Sequence, residues 1–150
     1  MQFNVQIKPK DIAKRVQKRG RALRNSIKLA LSRTAQSGIP IIIDNLNKGK
    51  GYKGSFKPYT KKYRDWKLGR ADLSAGPPSP IPNLQLTNQM ISSLTTKANS
   101  SRAEIFFSNA NANKKAAFNN KTRPFMGFNR RDEKRLRNVF ERNLAWVFES

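Results

Sequence analysis

The sequence predicts an α+β chain, and three patterns predict it. Helical periodicity occupies both ends, from Asp11 to about Ser37 and from Arg130 to about Phe148. A short alternating segment, residues 2–7, reads as a strand. A hairpin pattern lies between Thr95 and Ser108, around Asn99-Ser100-Ser101. The chain has 150 residues, enough for one ordinary domain with a modest core. The expected organisation is therefore a single unit over 1–150, with extended loops at about 47–56 and 70–83.

Composition narrows the chemistry. There is no cysteine and no histidine, so thiolate metal sites, cysteine nucleophiles and the usual neutral-pH base are absent. Thirty-one Lys and Arg face nine Asp and Glu, a net charge of +22. That field attracts nucleic acid, anionic membranes or acidic protein surfaces. No apolar run reaches the roughly 20 residues that span a bilayer, and no membrane is expected as a partner. Residues 1–7 alternate instead of forming a signal-peptide core.

In chain order, Phe3, Val5 and Ile7 share one face of the first strand, and Pro9 and Lys10 end it. In the helix that follows, Ile12, Val16, Leu23, Ile27, Ala30, Leu31 and Thr34 form the apolar side. Over roughly 26 residues this is a rod of about 39 Å. Lys14, Arg15, Lys18, Arg21, Arg24, Lys28 and Arg33 occupy the remaining circumference. They form either a solvated surface or a face toward DNA or an acidic partner. Gly20, at the edge of the apolar side, is expected to admit the close approach of another element. Gly38 and Pro40 punctuate the helix. Residues 39–48 fit either a strand, from three consecutive isoleucines, or a second helical segment kinked away from the first, which is the expectation.

Lys48–Gly54 invites a phosphate-loop reading and fails it. Gly49 and Gly54 have the spacing, but Ser55 stands where Lys is required. A flexible basic loop is expected there. Phe56–Gly69 interleaves aromatic and basic residues on a short helix opened by Pro58 or Thr60. Its Tyr59, Tyr63 and Trp66 either stack on bases or pack the helix down, and packing is expected. Arg70–Pro82 is a Pro/Ser/Gly arm. Thr87 is the expected cap of a short helix whose buried side is Met90, Ile91 and Leu94. Ile105-Phe106-Phe107 is the apolar centre of the hairpin. Asn109–Asn113 reads as a polar turn and Lys114–Phe118 as a single helical turn.

Thr122-Arg123-Pro124-Phe125-Met126-Gly127-Phe128-Asn129 then leads into the last helix. Pro124 biases Arg123 toward extended backbone. Phe125 and Phe128 are anchors, Gly127 a turn and Asn129 a cap, with Asp132 and Glu133 in the positive first turn. Leu136, Val139, Phe140, Leu144 and Val147 form the apolar stripe. Trp146 lies off that stripe, as a contact with another chain or as part of this core.

These signals have an order. Phe56-Lys57-Pro58-Tyr59-Thr60 comes first, with Tyr63 and Lys67, then a Pro-rich loop. Leu86-Thr87-Asn88-Gln89-Met90 follows, then the hairpin, Lys115-Ala116-Ala117-Phe118-Asn119, and Arg123-Pro124-Phe125-Met126-Gly127-Phe128. Over about residues 55 to 130 the order resembles the virion-morphogenesis and tail-completion proteins of tailed bacteriophages, which join head to tail. Asn88 departs from the glycine common in that pattern. Phe118-Asn119-Asn120 departs from His/Gln-Phe-Gly. The resemblance implies a small antiparallel sheet packed by a long N-terminal helix and a C-terminal helix. It implies a homo-oligomeric ring, sixfold or twelvefold with a hexamer favoured, between the portal or connector (adaptor) and the tail or tail-terminator proteins. It places the chain in the virion neck, assembled in the host cytoplasm, with packaged double-stranded DNA in the channel. Phe56, Tyr59, Arg123, Pro124, Phe125, Gly127, Phe128 and Trp146 are then the candidate assembly or loop-anchor residues.

The alternative is a non-specific basic nucleic-acid-binding protein, drawn from the N-terminal helix and the Phe56–Trp66 interleave. An enzyme is not expected. Asp44, Asp65, Asp72 and Glu104 are scattered, no spacing marks an activated nucleophile, and no catalytic, cofactor or metal residue is assigned.

Overall fold

The computed structural model describes residues 4–7, 12–70, 72, 79–84 and 88–149. At 4, 5, 7, 12–19 and 146–149 it describes the backbone alone. The chain is α+β. Strand β1 (Asn4–Ile7) precedes helix α1 (Ile12–Asn47), and β2 (Lys50–Gly51) and β3 (Gly54–Ser55) form a small hairpin. Helices α2 (Lys61–Leu68) and α3 (Gln89–Ser92) lead to β4 (Leu94–Ala98) and β5 (Ala103–Phe107). Helices α4 (Ala110–Thr122) and α5 (Arg130–Glu149) complete the order.

The main sheet has the order β1-β5-β4 and is antiparallel throughout. Its central strand is the expected apolar one, with Ile105 opposite Val5 on one side and Thr96 on the other. Asn99 closes the β4–β5 turn. Its Oδ1 accepts from the amides of Ser101 (2.8 Å) and Arg102 (2.9 Å), and its own amide donates to the Arg102 carbonyl. Ala103, Ile105 and Phe107 are buried among Ile27, Leu31, Ala35, Ile42 and Leu46 of α1. On the alternate side of β5, buried Glu104 meets Lys97 (2.9 Å) and Arg102 (3.5 Å). Its Oε2 has this charge contact but no hydrogen bond of good geometry.

Helix α5 lies along α1. Leu136 is buried, and Phe140 and Leu144 pack on the core. Asn45 Nδ2 donates to Asp132 Oδ2 (3.3 Å), and Arg33 donates to Asn143 Oδ1 (3.3 Å). The contacts advance along α1 while they retreat along α5, so the two helices run antiparallel. The Asn129 cap forms as expected, its Oδ1 accepting from the Asp132 amide at 2.9 Å.

Two glycines exchange the roles expected of them. The helix does not break at Gly38 or Pro40. It continues to Asn47, and the one non-helical residue inside it is Gly20, at φ 81° and ψ −175°. A β-carbon at Gly20 would meet nothing, so its use is conformational. Gly38 is the close-approach position: a β-carbon there would lie 2.7 Å from Ile105 Cδ1 and 2.8 Å from Phe128 Cζ. Pro40 is tolerated because it and Gln36, whose carbonyl loses its partner, are both exposed to water. The unbroken part of the helix is therefore residues 21–47, about 40 Å at 1.5 Å per residue.

Other expectations also change. The loop at 47–56 is an ordered hairpin, with Gly51 and Phe56 buried. The polar turn and single helical turn at 109–118 are one helix. Asn109 is its N-cap, accepting from the amides of Asn111 and Ala112. The short helix at 89 begins after Asn88, which sits at φ 60° and makes no side-chain cap. Thr87, Phe3 and half of the 70–83 arm lie outside the described residues.

Candidate functional site

The Thr122–Asn129 stretch is a floor on which the β2–β3 hairpin rests. Asn120, at the end of α4, turns the chain: its Oδ1 accepts from the amides of Phe125 (2.9 Å) and Met126 (3.0 Å). Phe125 and Met126 are thereby driven into the core, Phe125 lying edge-on to Phe107 with centroids 6.4 Å apart. The Gly127 amide donates to the Phe125 carbonyl (3.1 Å) and closes the expected turn. Gly127 needs no positive φ for it. Its missing side chain instead admits the ring of Tyr52, which a β-carbon would meet at 2.7 Å. On the same floor Gly51 abuts the Pro124 carbonyl, and the Arg123 guanidinium donates to the Lys57 carbonyl (3.2 Å).

Tyr59 connects this floor to α2. Arg123 and Lys67 lie over its ring at 4.9 and 5.0 Å, and its hydroxyl accepts from the Leu84 amide (3.3 Å). Burial raises the Tyr59 pKa above its usual 10.0, and the Leu84 hydrogen bond opposes that. Lys67 is 1% exposed, and its ammonium donates to Asn83 Oδ1 (2.7 Å). Burial lowers its pKa from 10.5. Through Lys67 and Tyr59, α2 is latched to residues 83–84. Leu84 is held there at φ 57°, a conformation that costs an ordinary residue about 1–2 kcal/mol.

The buried face of α2 thus carries a cation, and its aromatics turn outward. This reverses the expectation that Tyr63 and Trp66 pack the helix down: they are 40% and 46% exposed. They form a row with Tyr59. Centroids are 4.8 Å apart from Tyr59 to Tyr63 and 5.6 Å from Tyr63 to Trp66, and Arg70 lies 5.6 Å from the Trp66 ring. Thr60 caps the helix, its Oγ1 accepting from the Tyr63 amide (3.3 Å), and Gly69 ends it.

No protein-family model, curated protein or solved structure matches this chain. Its chemistry is therefore read from its own residues. Arg21, Arg24 and Lys28 are exposed on α1, and no ion pair joins them to a described acid. Lys14, Arg15 and Lys18 lie on the other side of the Gly20 break, so the six do not share one continuous helical face. Their side chains, like that of Trp146 in α5, are outside the described residues. Phe56 and Phe125 are buried, while Tyr59, Arg123, Pro124, Gly127 and Phe128 are half-buried. All seven make packing or polar contacts within this chain.

Asp44, Asp65, Asp72 and Glu104 stay apart and each has a cation nearby. Asp44 meets Lys48 (2.7 Å), Asp65 meets Arg64 (3.6 Å) and Asp72 meets Arg70 (3.0 Å). The Lys48 hydrogen bond lowers the Asp44 pKa below 3.8. Among the described residues no group of three or more metal-ligating side chains forms, and no helix is long and apolar enough to cross a membrane. A hollow of about 200 Å³ between α3 and α4 has Lys115 as its one ionisable lining residue, and that ammonium donates to Gln89 Oε1 (2.9 Å). Sequence reasoning gave Gly51, Tyr52, Lys67 and Asn120 no structural role. Only the Asn-Asn pair before Arg-Pro hinted at one of them, since Asn is suited to accepting backbone amides at a turn.

Proposed function

We propose that this chain is a structural protein of a bacteriophage neck, a ring subunit that joins the head connector to the tail. The observation that carries the reading is the convergence of segments matched in sequence order. Phe56, Tyr59 and Arg123–Phe128 are separated by more than sixty residues, yet they meet in one floor, joined by the Arg123–Lys57 hydrogen bond and the Arg123–Tyr59 contact. Met90 and Ala116, from the two intervening matched segments, are buried in the same core. The order of signals that prompts the resemblance is thus an order of mutually packed parts. Asn88, the departure from glycine, holds φ 60°, a conformation open to both residue types.

In this role the basic surface meets DNA in the channel or acidic neighbours, and phosphate neutralisation without base readout suffices. The test mixes the purified chain with the connector and tail proteins encoded beside it. A stoichiometric ring, a hexamer in the first instance, is expected by mass measurement and electron microscopy. Heads and tails made without the chain should fail to join. A chain that stays monomeric with every such neighbour, and is dispensable for joining, does not have this function.

A further inference from the structure

We propose that the outward face of α2, the row Tyr63–Trp66–Arg70, binds single-stranded nucleic acid, independently of any place in a neck. Both aromatics are exposed on a helix whose adjoining flank is fixed by the buried Lys67, one turn on from Tyr63, by the Thr60 cap and by Tyr59. The row is therefore presented in order before anything binds, and the entropy of arranging it is already spent. Cations surround it: Lys57, Lys61 and Lys62 are exposed, and no described acid pairs with them. Flat rings within a cationic field are the two components of sequence-tolerant strand binding, one taking bases and the other phosphates.

An acidic protein surface fits less well. Protein interfaces need about 800 Å² per partner and are depleted of lysine, whereas two half-exposed rings on an eight-residue helix ringed by lysines offer little apolar area. A second copy docked through this same face would set its own lysines against Lys57, Lys61 and Lys62, which charge opposes, whatever other faces a ring uses. Duplex DNA presents phosphates but no free base face, so it cannot use the rings. Arg70 is the adjustable member. It lies over Trp66 while its guanidinium is shared with the exposed carboxylate of Asp72, at 3.0 Å for each of two nitrogens. A phosphate can take the place of that carboxylate while a base takes the open part of the indole.

The test uses oligothymidylate of about 15 nucleotides, a duplex of equal length and polyglutamate. Each is titrated into a Trp146→Phe variant so that Trp66 is the sole indole. Oligothymidylate should quench the fluorescence, and the duplex should bind with a steep salt dependence and without quenching. Trp66→Ala or Tyr63→Ala should weaken oligothymidylate binding roughly 5- to 150-fold, with thermal unfolding unchanged, and Trp66→Phe should restore most of the loss. Should Trp146→Phe fold poorly, anisotropy of a labelled oligonucleotide on the natural chain reads the same comparison. Equal affinity for all three polyanions, untouched by Trp66→Ala, would reduce the face to bare charge and overturn the proposal. Stronger Trp66-dependent binding of polyglutamate would also overturn it, in favour of an acidic protein partner.

Discussion

Gly51 sets its α-carbon against the carbonyl oxygen of Pro124, and no space for a β-carbon is left between them. The obstacle is backbone on both sides. Pro124 has a fixed φ, and its neighbours Phe125 and Met126 are tied by their amides to Asn120. Neither strand of this contact can swing aside as a flexible side chain would. Gly51→Ala should therefore destabilise the fold by roughly 1–3 kcal/mol. Lys53→Ala, in the exposed turn of the same hairpin, should move stability by less than about 0.5 kcal/mol. Urea unfolding of the two variants checks both values. An unchanged midpoint for Gly51→Ala would mean that the hairpin does not rest on Pro124.

The floor beneath the hairpin should be the most sensitive part of the molecule. Phe125 is 2% exposed and touches Phe107 edge-on. Its truncation to Ala should cost about 3–5 kcal/mol. Asn120→Ala leaves two amides without their acceptor and should cost about 1–3 kcal/mol, though it removes almost no apolar area. Because both variants act on one turn, their effects should be less than additive in a double-mutant cycle. If Phe125→Ala folds normally but no longer assembles, the residue contacts a partner and does not anchor this core.

Helix α5 should lean on its cap. Asn129 accepts the Asp132 amide, while the Asp132 carboxylate receives Asn45 from α1 and lies 3.8 Å from Arg135. Asn129→Ala should cost about 1 kcal/mol. Asn45→Ala should cost a similar amount, because the buried carboxylate then loses one of its donors. Chemical denaturation of each variant gives the comparison. A neutral Asn129→Ala would show that the first turn of α5 is held by packing alone.

The parts legible in the sequence were those whose buried positions carry large apolar side chains at a regular period. Ile27 and Leu31 marked the first part of α1, and Ile105 and Phe107 marked the central strand. Helix α4 was read as a single turn because its buried positions are Ala112 and Ala116, too small to make a stripe, and because Asn109 serves a cap as readily as a turn. Gly20 and Gly38 could not be told apart, since one is chosen for φ and the other for a neighbour 67 residues away. The direction of α2 was misread for a related reason. A Lys beside Tyr and Trp ordinarily takes the solvent side, and only Asn83, Tyr59 and Leu84 together make a buried place for its ammonium. The two exposed rings follow from that inversion.

Lys67 also gives the chain an alkaline signature. Burial holds its pKa below 10.5, so between that lowered value and 10.5 the unfolded chain binds more protons than the folded one. Stability must then rise with pH across that window. Tyr59 acts in the opposite sense. Its raised pKa keeps the phenol protonated in the fold when the unfolded chain begins to lose its proton near 10.0, so its contribution is present below 10.0 and is lost as pH climbs through the folded value. Lys67→Met removes the first effect and leaves the second. Unfolding free energies measured from about pH 8 to pH 10.5 should show the natural chain gaining on Lys67→Met as pH rises. With Tyr59→Phe as background the gain should stand out more clearly, because the opposing phenol is gone. A gap between natural and Lys67→Met chains that stays constant with pH would show that water reaches the ammonium, and that the latch between α2 and residues 83–84 is open in solution.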